Sequence, residues 1–304
     1  MARITDEQQL HDLLEPDGER FCEISTGRVN YSRLGTPLRG TVLLVAGLSM
    51  HRTAWSPELI AGLHAAGYAT LATDNRDAGL TDAAGRHAGP GAGDEFRAAY
   101  GLVDMAGDLR ELILALDVGP VHVVGMSMGG MIAQHLALLA PELVSSLTSV
   151  MSTTGDRAVG RPQQESKWVF LTPAPTDSRE AYLAFSERYH AALAGPHYPD
   201  FERARETAEM TWARGVDLAG TARQLQAIQA DGDRTERLRR VATPTLVVHG
   251  DADPLIGVSG GIATAAAIPG ARLLTIERMG HSIPWQCAGE LTDAVVAHAG
   301  AASA

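Results

Sequence analysis

A mostly parallel, doubly wound α/β sheet is the fold class this sequence predicts. Three observations lead to it: short continuously apolar runs recur along the chain, stretches with helical spacing lie between them, and the rhythm breaks once, in the middle. Hydrophobic residues make up 45% of the 304 and charged residues 20%, which places the chain with ordinary globular proteins rather than disordered or fibrous ones. One large α/β domain or two average ones would both fit this length.

In chain order, residues 21–25 and 28–34, joined by Thr26 and Gly27, read as a hairpin. Residues 41–46 form an apolar run ending at Gly47, as expected of a strand buried on both faces of a parallel sheet. Ser56-Pro57-Glu58 supplies an N-cap and a proline at the first helical position, opening a helix to about residue 66. Residues 68–73 are the next strand, and Leu102, Met105, Leu109, Leu112, Ile113 and Leu116 then fall at helical spacing. Residues 121–126 read as a strand, 128–140 as a helix halted before Pro141, and 144–150 as a strand. The alternation returns with a strand at 245–249, a helix around 261–268, a strand at 272–276 and a helix from 285 to about 298. Residues 152–231 break the pattern with helical segments rich in aromatics, among them Trp168, Tyr182, Tyr189 and Trp212. They are expected to form a helical cap over the carboxyl edge of the sheet, with 1–151 and 232–304 as the core domain. An ordinary extra helical layer that meets no ligand is the plainer alternative.

Acidic residues outnumber Lys and Arg by 36 to 25, a formal net charge of −11, so nucleic acid and anionic bilayers are not expected partners. The densest basic cluster, Arg234, Arg237, Arg239 and Arg240, is interrupted by Glu236 and is expected to solvate a short helix before a strand. Cys22 and Cys287 lie far apart and make neither a CxxC motif nor a disulfide framework, so a reduced, cytoplasmic protein is expected. Residues 1–15 carry Arg3, Asp6, Glu7 and Asp12 where a secretory signal would need an apolar run, and no segment has the apolar length of a membrane-spanning helix. Nothing in the sequence sets an oligomeric state.

Gly125-Met126-Ser127-Met128-Gly129 is a G-x-S-x-G pattern. By itself it is weak, but here it follows an apolar strand and opens a helix, the context in which a sharp turn holds the serine at the head of a sheet. The positive end of the following helix favours negative charge near its first amides. A serine hydroxyl also needs a base, and the base needs an acid to fix its tautomer. Gly250-Asp251-Ala252-Asp253-Pro254 and Met279-Gly280-His281-Ser282 each follow a strand, at the edge where doubly wound sheets place their active sites.

With these residues the chain resembles the α/β-hydrolase superfamily over nearly its whole length. The HGxxD acid loop is matched by His249-Gly250-Asp251-Ala252-Asp253 and the GH loop by Gly280-His281. The resemblance implies Ser127 as nucleophile, His281 as base and Asp253, rather than Asp251, as acid. Asp251 then reads as a turn residue that bonds its own backbone, and His249 and His122 as core or surface residues. The implied oxyanion donors are the amides of Met128 and Leu48. Many relatives carry His-Gly where this chain has Ala46-Gly47, a departure that removes a histidine but leaves the backbone donor. Asp74-Asn75-Arg76-Asp77-Ala78-Gly79-Leu80-Thr81 resembles the DxRDxGxS loop of a subgroup that includes the aclacinomycin methylesterases and serine-dependent macrolide esterases, where other relatives commonly have Gly in place of Asp77. Arg76 is expected to brace loops there.

The reading that follows is hydrolysis of a carboxylic ester or lactone through an acyl-enzyme, with no metal or organic cofactor required. The aromatic insertion and Met126, Met128 and Met131 suit a bulky, mostly apolar small-molecule substrate such as a polyketide ester or macrolide, with Trp168 and Trp212 as expected pocket residues. Cofactor-free haloperoxidases or perhydrolases and C–C bond hydrolases share this triad and stay open as alternatives. Dehalogenases and epoxide hydrolases place an aspartate where Ser127 stands. A non-catalytic ligand-binding member of the fold would usually lack a triad residue.

Overall fold

The computed structural model describes residues 1–14, 19–81 and 99–303; residues 15–18 and 82–98 of the expected core domain, and residue 304, lie outside the described residues. The chain opens with a helix that sequence patterning did not single out, α1 (Glu7–Leu14), of which only Leu14 is buried. The expected hairpin is β1 (Arg20–Ile24) and β2 (Gly27–Leu34), paired antiparallel. The first α/β alternation gives β3 (Thr41–Val45), α2 (Pro57–Ala65), β4 (Ala69–Thr73), α3 (Leu102–Ala115), β5 (Val121–Met126), α4 (Met128–Leu139) and β6 (Val144–Val150). Ser56 caps α2 as its sequence predicts, its side chain accepting from the Leu59 amide.

After β6 come three long helices, α5 (Arg179–Ala194), α6 (Phe201–Arg214) and α7 (Leu218–Asp231), preceded by a 3₁₀ turn at Gln164–Phe170. Each is started by a side chain that takes up an otherwise free amide: Ser178 from Ala181, Asp200 from Arg203 and Asp217 from Gly220. The chain then returns through α8 (Thr235–Leu238), β7 (Thr245–Gly250), α9 (Ser259–Ala267), β8 (Arg272–Ile276) and α10 (Trp285–Ala302). Among the described residues no helix is long and apolar enough to cross a membrane.

The strands form one sheet in the order β1-β2-β4-β3-β5-β6-β7-β8, in which β2 runs against its neighbours and the pairs from β4 to β8 are parallel. Every residue of β3, β4, β5 and β7 is buried, which explains the continuous rather than alternating apolarity of their sequences. Leu43, Val45 and Val123 point into one core with α3 and α4; Val42, Leu44 and Val124 point into the other with α2 and α10. The sheet is thus held from both sides.

One expectation is corrected here. Arg234 does not solvate α8: it is 1% exposed, pairs with Asp231, and donates to Gln134 Oε1 at 3.0 Å and to the Thr153 carbonyl at 2.8 Å. A guanidinium with several donors can be buried when each finds an acceptor. Sequence proximity to Arg237, Arg239 and Arg240 hid that difference.

Candidate active site

Strand β5 ends at Met126, and the chain turns into α4 through Ser127, whose φ of 54° and ψ of −122° are unusual for a side-chain-bearing residue. Such a conformation costs on the order of 1–3 kcal/mol and persists where its surroundings over-determine it. The turn is crowded because α4 lies directly against the sheet. A Cβ at Gly125 would stand 2.2 Å from the Gly129 carbonyl oxygen, and one at Gly129 would stand 2.0 Å from that of Val45. The Ser127 amide is bonded to Val150 O at 2.9 Å, and Ser152 Oγ donates to Ser127 O at 2.8 Å, so neighbouring β6 holds the turn from the side.

Ser127 Oγ lies 3.0 Å from His281 Nε2, and His281 Nδ1 lies 2.8 Å from Asp253 Oδ2. Asp253 follows β7 and His281 follows β8, so both meet Ser127, more than a hundred positions earlier in the chain, because their strands end on one edge. Asp253 is 3% exposed, and its other oxygen accepts the Leu255 and Ile256 amides, each at 2.9 Å. Burial alone would raise the pKa of this carboxyl, but the facing imidazole of His281 and hydrogen bonds from His249 and His281 reverse that effect and hold it well below the usual carboxylate range. An ionised carboxylate only accepts, so His281 carries its proton on Nδ1 and turns the lone pair of Nε2 to the serine hydroxyl.

His249, read from the sequence as a core or surface residue, is fully buried and contributes to this acid: its Nε2 is 2.7 Å from Ile256 O and 3.4 Å from Asp253 Oδ2. Because the Ile256 carbonyl can only accept, Nε2 bears the proton, which also faces the carboxylate. Asp251 sits apart from the triad geometry. Instead of closing a turn on its own backbone, it accepts the Arg278 amide at 2.6 Å and ties the β7 loop to the β8 loop.

On the other side of Ser127 is the loop after β3. A Cβ on Gly47 would lie 3.4 Å from Ser127 Cβ, so the next residue, Leu48, borders the serine. Met128, the first residue of α4, contributes an amide from a first turn that has no helical acceptor. The loop after β4 braces this arrangement. Arg76 makes a two-pronged contact to Asp108 at 2.6 and 2.8 Å, and Asp77 receives Arg223 at 2.8 and 2.9 Å and the Tyr100 hydroxyl at 2.7 Å. Asp74 accepts the Arg52 amide at 2.7 Å and Arg214 at 2.5 Å. Two of these partners, Arg214 and Arg223, belong to inserted helices.

Above Ser127 and His281 is a cavity of about 410 Å³ with an apolar wall of Met128, Met131, Leu193, Leu225, Leu255 and Ile256. A second recess of about 260 Å³ shares Leu48, Tyr182, Tyr189 and Thr211 with it and extends toward residues 169–174. Trp168 and Trp212, expected in the pocket, stand one layer behind it. Trp168 packs edge-on to Phe185 and Tyr189 with ring centroids 5.9 and 6.4 Å apart, and Trp212 lies 5.4 Å from Tyr182. Tyr182 and Tyr189 form the wall itself, and the signal for them was the 182, 186, 189, 193 spacing along one face of α5. Among the described residues no cluster of His, Cys, Asp and Glu has the arrangement of a metal site.

The chain is 29% identical over 291 residues to rhodomycin D methylesterase DauP of Streptomyces sp. strain C5, covering 89% of this chain and 94% of that protein. It is 28% identical, with the same coverage, to rhodomycin D methylesterase DnrP of Streptomyces peucetius. The esterase EaEST of Exiguobacterium antarcticum superposes with a TM-score of 0.71 over 92% of this chain and 98% of that one, at an identity of 20% that speaks to fold alone. Residues 40–286 match the family described by the alpha/beta hydrolase fold, and the chain belongs to that family.

Proposed function

We propose that the protein hydrolyses a carboxylic ester through an acyl-enzyme, with Ser127 as nucleophile, His281 as base and Asp253 as its orienting acid. The observation that carries this is the unbroken hydrogen-bond line from Asp253 through His281 to Ser127 on the floor of a 410 Å³ cavity. Ser127 Oγ attacks the ester carbonyl as its proton passes to His281 Nε2, and the oxygen that becomes negative is received by the Leu48 and Met128 amides. Collapse expels the alcohol, which takes the proton from His281. Water then attacks the acyl-enzyme by the same steps, with His281 first accepting and then returning a proton, and the carboxylic acid leaves.

The inserted helices act as a cap that carries the outer wall of the cavity, and the apolar wall suits a bulky substrate of the polyketide-ester or macrolide kind. Likeness to two rhodomycin D methylesterases supports a methyl ester of a large acid over a macrolactone. The free, buried thiols of Cys22 and Cys287 support a reducing, cytoplasmic setting.

A fluorophosphonate probe with intact-mass detection tests the nucleophile: one adduct is expected on the wild type and none on Ser127→Ala. Labelling of both proteins or of neither overturns the assignment. Incubation with methyl esters, macrolactones and vinylogous diketones, with and without hydrogen peroxide, followed by product mass analysis, tests the reaction. Carboxylic acid from the methyl esters without peroxide is expected, and products only from peroxide or from C–C cleavage would replace this reading.

A further inference from the structure

The Gly47–Leu48 peptide carries the amide assigned above to the oxyanion, and its neighbours are fixed in an uncommon way. Gly47 O accepts the Met50 amide at 3.2 Å, which in a trans peptide turns the Leu48 N–H the opposite way. On one side, Asn75 Nδ2 donates to Ala46 O at 2.8 Å. On the other, the Ser49 amide donates to Gln224 Oε1 at 2.8 Å. Ser49 has a φ of 58°, a left-handed conformation that a side-chain-bearing residue does not hold without support. Gln224 is the middle of α7 and is fully buried. Its remaining polar atom, Nε2, donates to Arg76 O at 2.6 Å, in the same loop that supplies Asn75. The opposite amide orientation would set donor against donor and acceptor against acceptor, so the hydrogen-bond pattern fixes which atom faces which loop.

We propose that Gln224 is a positioning residue for the reaction: from the inserted helix α7 it locks the Leu48–Ser49 peptide and thereby the aim of the Leu48 amide at the oxyanion. The proposal rests on the ester-hydrolase reading above. Asn75 and Gln224 take the loop from its two ends. Gln224 touches no reacting atom, so its effect is confined to the geometry of a donor whose contribution is felt when the carbonyl oxygen becomes negative.

The test compares wild type, Gln224→Leu, which has neither bond, and Gln224→Glu, which keeps the acceptor for the Ser49 amide. All are measured per active site titrated with a fluorophosphonate. For Gln224→Leu, kcat is expected to fall about 10- to 100-fold with KM nearly unchanged, less than the roughly 10²–10³-fold that outright loss of an oxyanion donor costs. An arylboronic acid, which forms a tetrahedral adduct on serine, should lose affinity in the same proportion as kcat/KM. Gln224→Glu should recover part of the loss, because it restores the acceptor for the Ser49 amide but, when ionised, sets an oxygen against the Arg76 carbonyl. If Gln224→Leu does not fold, the proportionality between boronate affinity and kcat/KM in Gln224→Glu decides the question. A lowered melting temperature with kcat per titrated site unchanged, or a fall in kcat that boronate affinity does not follow, overturns the proposal and leaves Gln224 structural. Failure of Ser127→Ala to abolish labelling would instead overturn the ester-hydrolase reading on which it rests.

Discussion

Helices α5 and α7 both cover the cavity, yet they are fastened to the sheet in different ways. Along α7, Arg223 reaches Asp77, Gln224 reaches Ser49 and Arg76, and Asp231 reaches His135 at 2.8 Å and Arg234. Its attachments are side chains spread over much of its length, and most are buried. The ion pairs of α5, Arg179 to Glu209 and Glu187 to Arg205, end on α6, within the insertion, and are partly exposed. What α5 gives the core directly is a backbone bond at its carboxyl end, from the His281 amide to Leu193 O at 2.7 Å. The difference separates two tasks: α7 holds core loops in place, whereas α5 presents Tyr182, Ser186, Tyr189 and Leu193 to whatever occupies the cavity.

If the loops of the sheet do the chemistry and the helices only hold and enclose, the largest effect must come from a loop. Asp253→Asn is expected to lower kcat about 10⁴-fold, because an amide admits the wrong tautomer of His281. Asp251→Asn should cost far less, since that carboxylate only ties two loops together. Steady-state kinetics on both variants checks this, and a reversal of the two would move the acid to the other residue.

Next in size is the loss of an α7 attachment. Asp231→Asn leaves the buried guanidinium of Arg234 without its charge partner and should destabilise the fold by about 3–5 kcal/mol in urea unfolding. The same residue gives the comparison a pH dependence. Burial alone would raise the Asp231 carboxyl, but the hydrogen bond from His135 and the charge of Arg234 outweigh it and lower the group from the ordinary 3.8 to about 2. Its stabilisation is therefore complete above the ordinary value and is lost as the pH falls toward about 2. Stability of the wild type should decline over that window, and that of Asp231→Asn should decline less.

Substitution on α5 should act on selectivity instead. Tyr189→Ala is expected to change the ratio of kcat/KM for a bulky ester over an acetate by about tenfold, whereas Trp168→Ala, one layer back, should change it less. Equal shifts would mean that the second layer reads the substrate as well as the first. The smallest effect belongs to the exposed pair: Arg179→Ala should alter unfolding free energy by less than about 1 kcal/mol.

The strands β3 and β5 were legible because a strand buried on both faces reads as a nearly continuous apolar run, whereas β4 and β6, with their Thr and Ser residues, were placed by the alternation around them. Ser127 and Asp253 each sit just after a strand buried throughout, whereas the strand before His281 is largely exposed, so that histidine was singled out by its GH loop instead. Arg76 was read correctly as a brace. Gln224 was not found, because a glutamine within a helix carries no local sign of whether it faces solvent or a strained peptide far away in sequence. Trp168 and Trp212 were singled out by size, while the cavity wall is set by the phase of α5, which only the position of its neighbours determines. Arg234 was grouped with its charged neighbours, although its partners Gln134 and Thr153 come from other parts of the chain.

The bond between the His281 amide and the Leu193 carbonyl bears on how such proteins can be recombined. A Cβ at Gly280 would come within 2.3 Å of the Ala194 carbonyl oxygen, so the end of α5 and the histidine loop are shaped against each other at the level of the backbone. An exchange of the segment between β6 and β7 with a related chain therefore replaces one half of that fit. Grafts that end helix five one residue early or late should leave the serine and the acid where they are and put the imidazole out of register, so that a transplanted specificity arrives without a working base unless the histidine loop is transplanted with it.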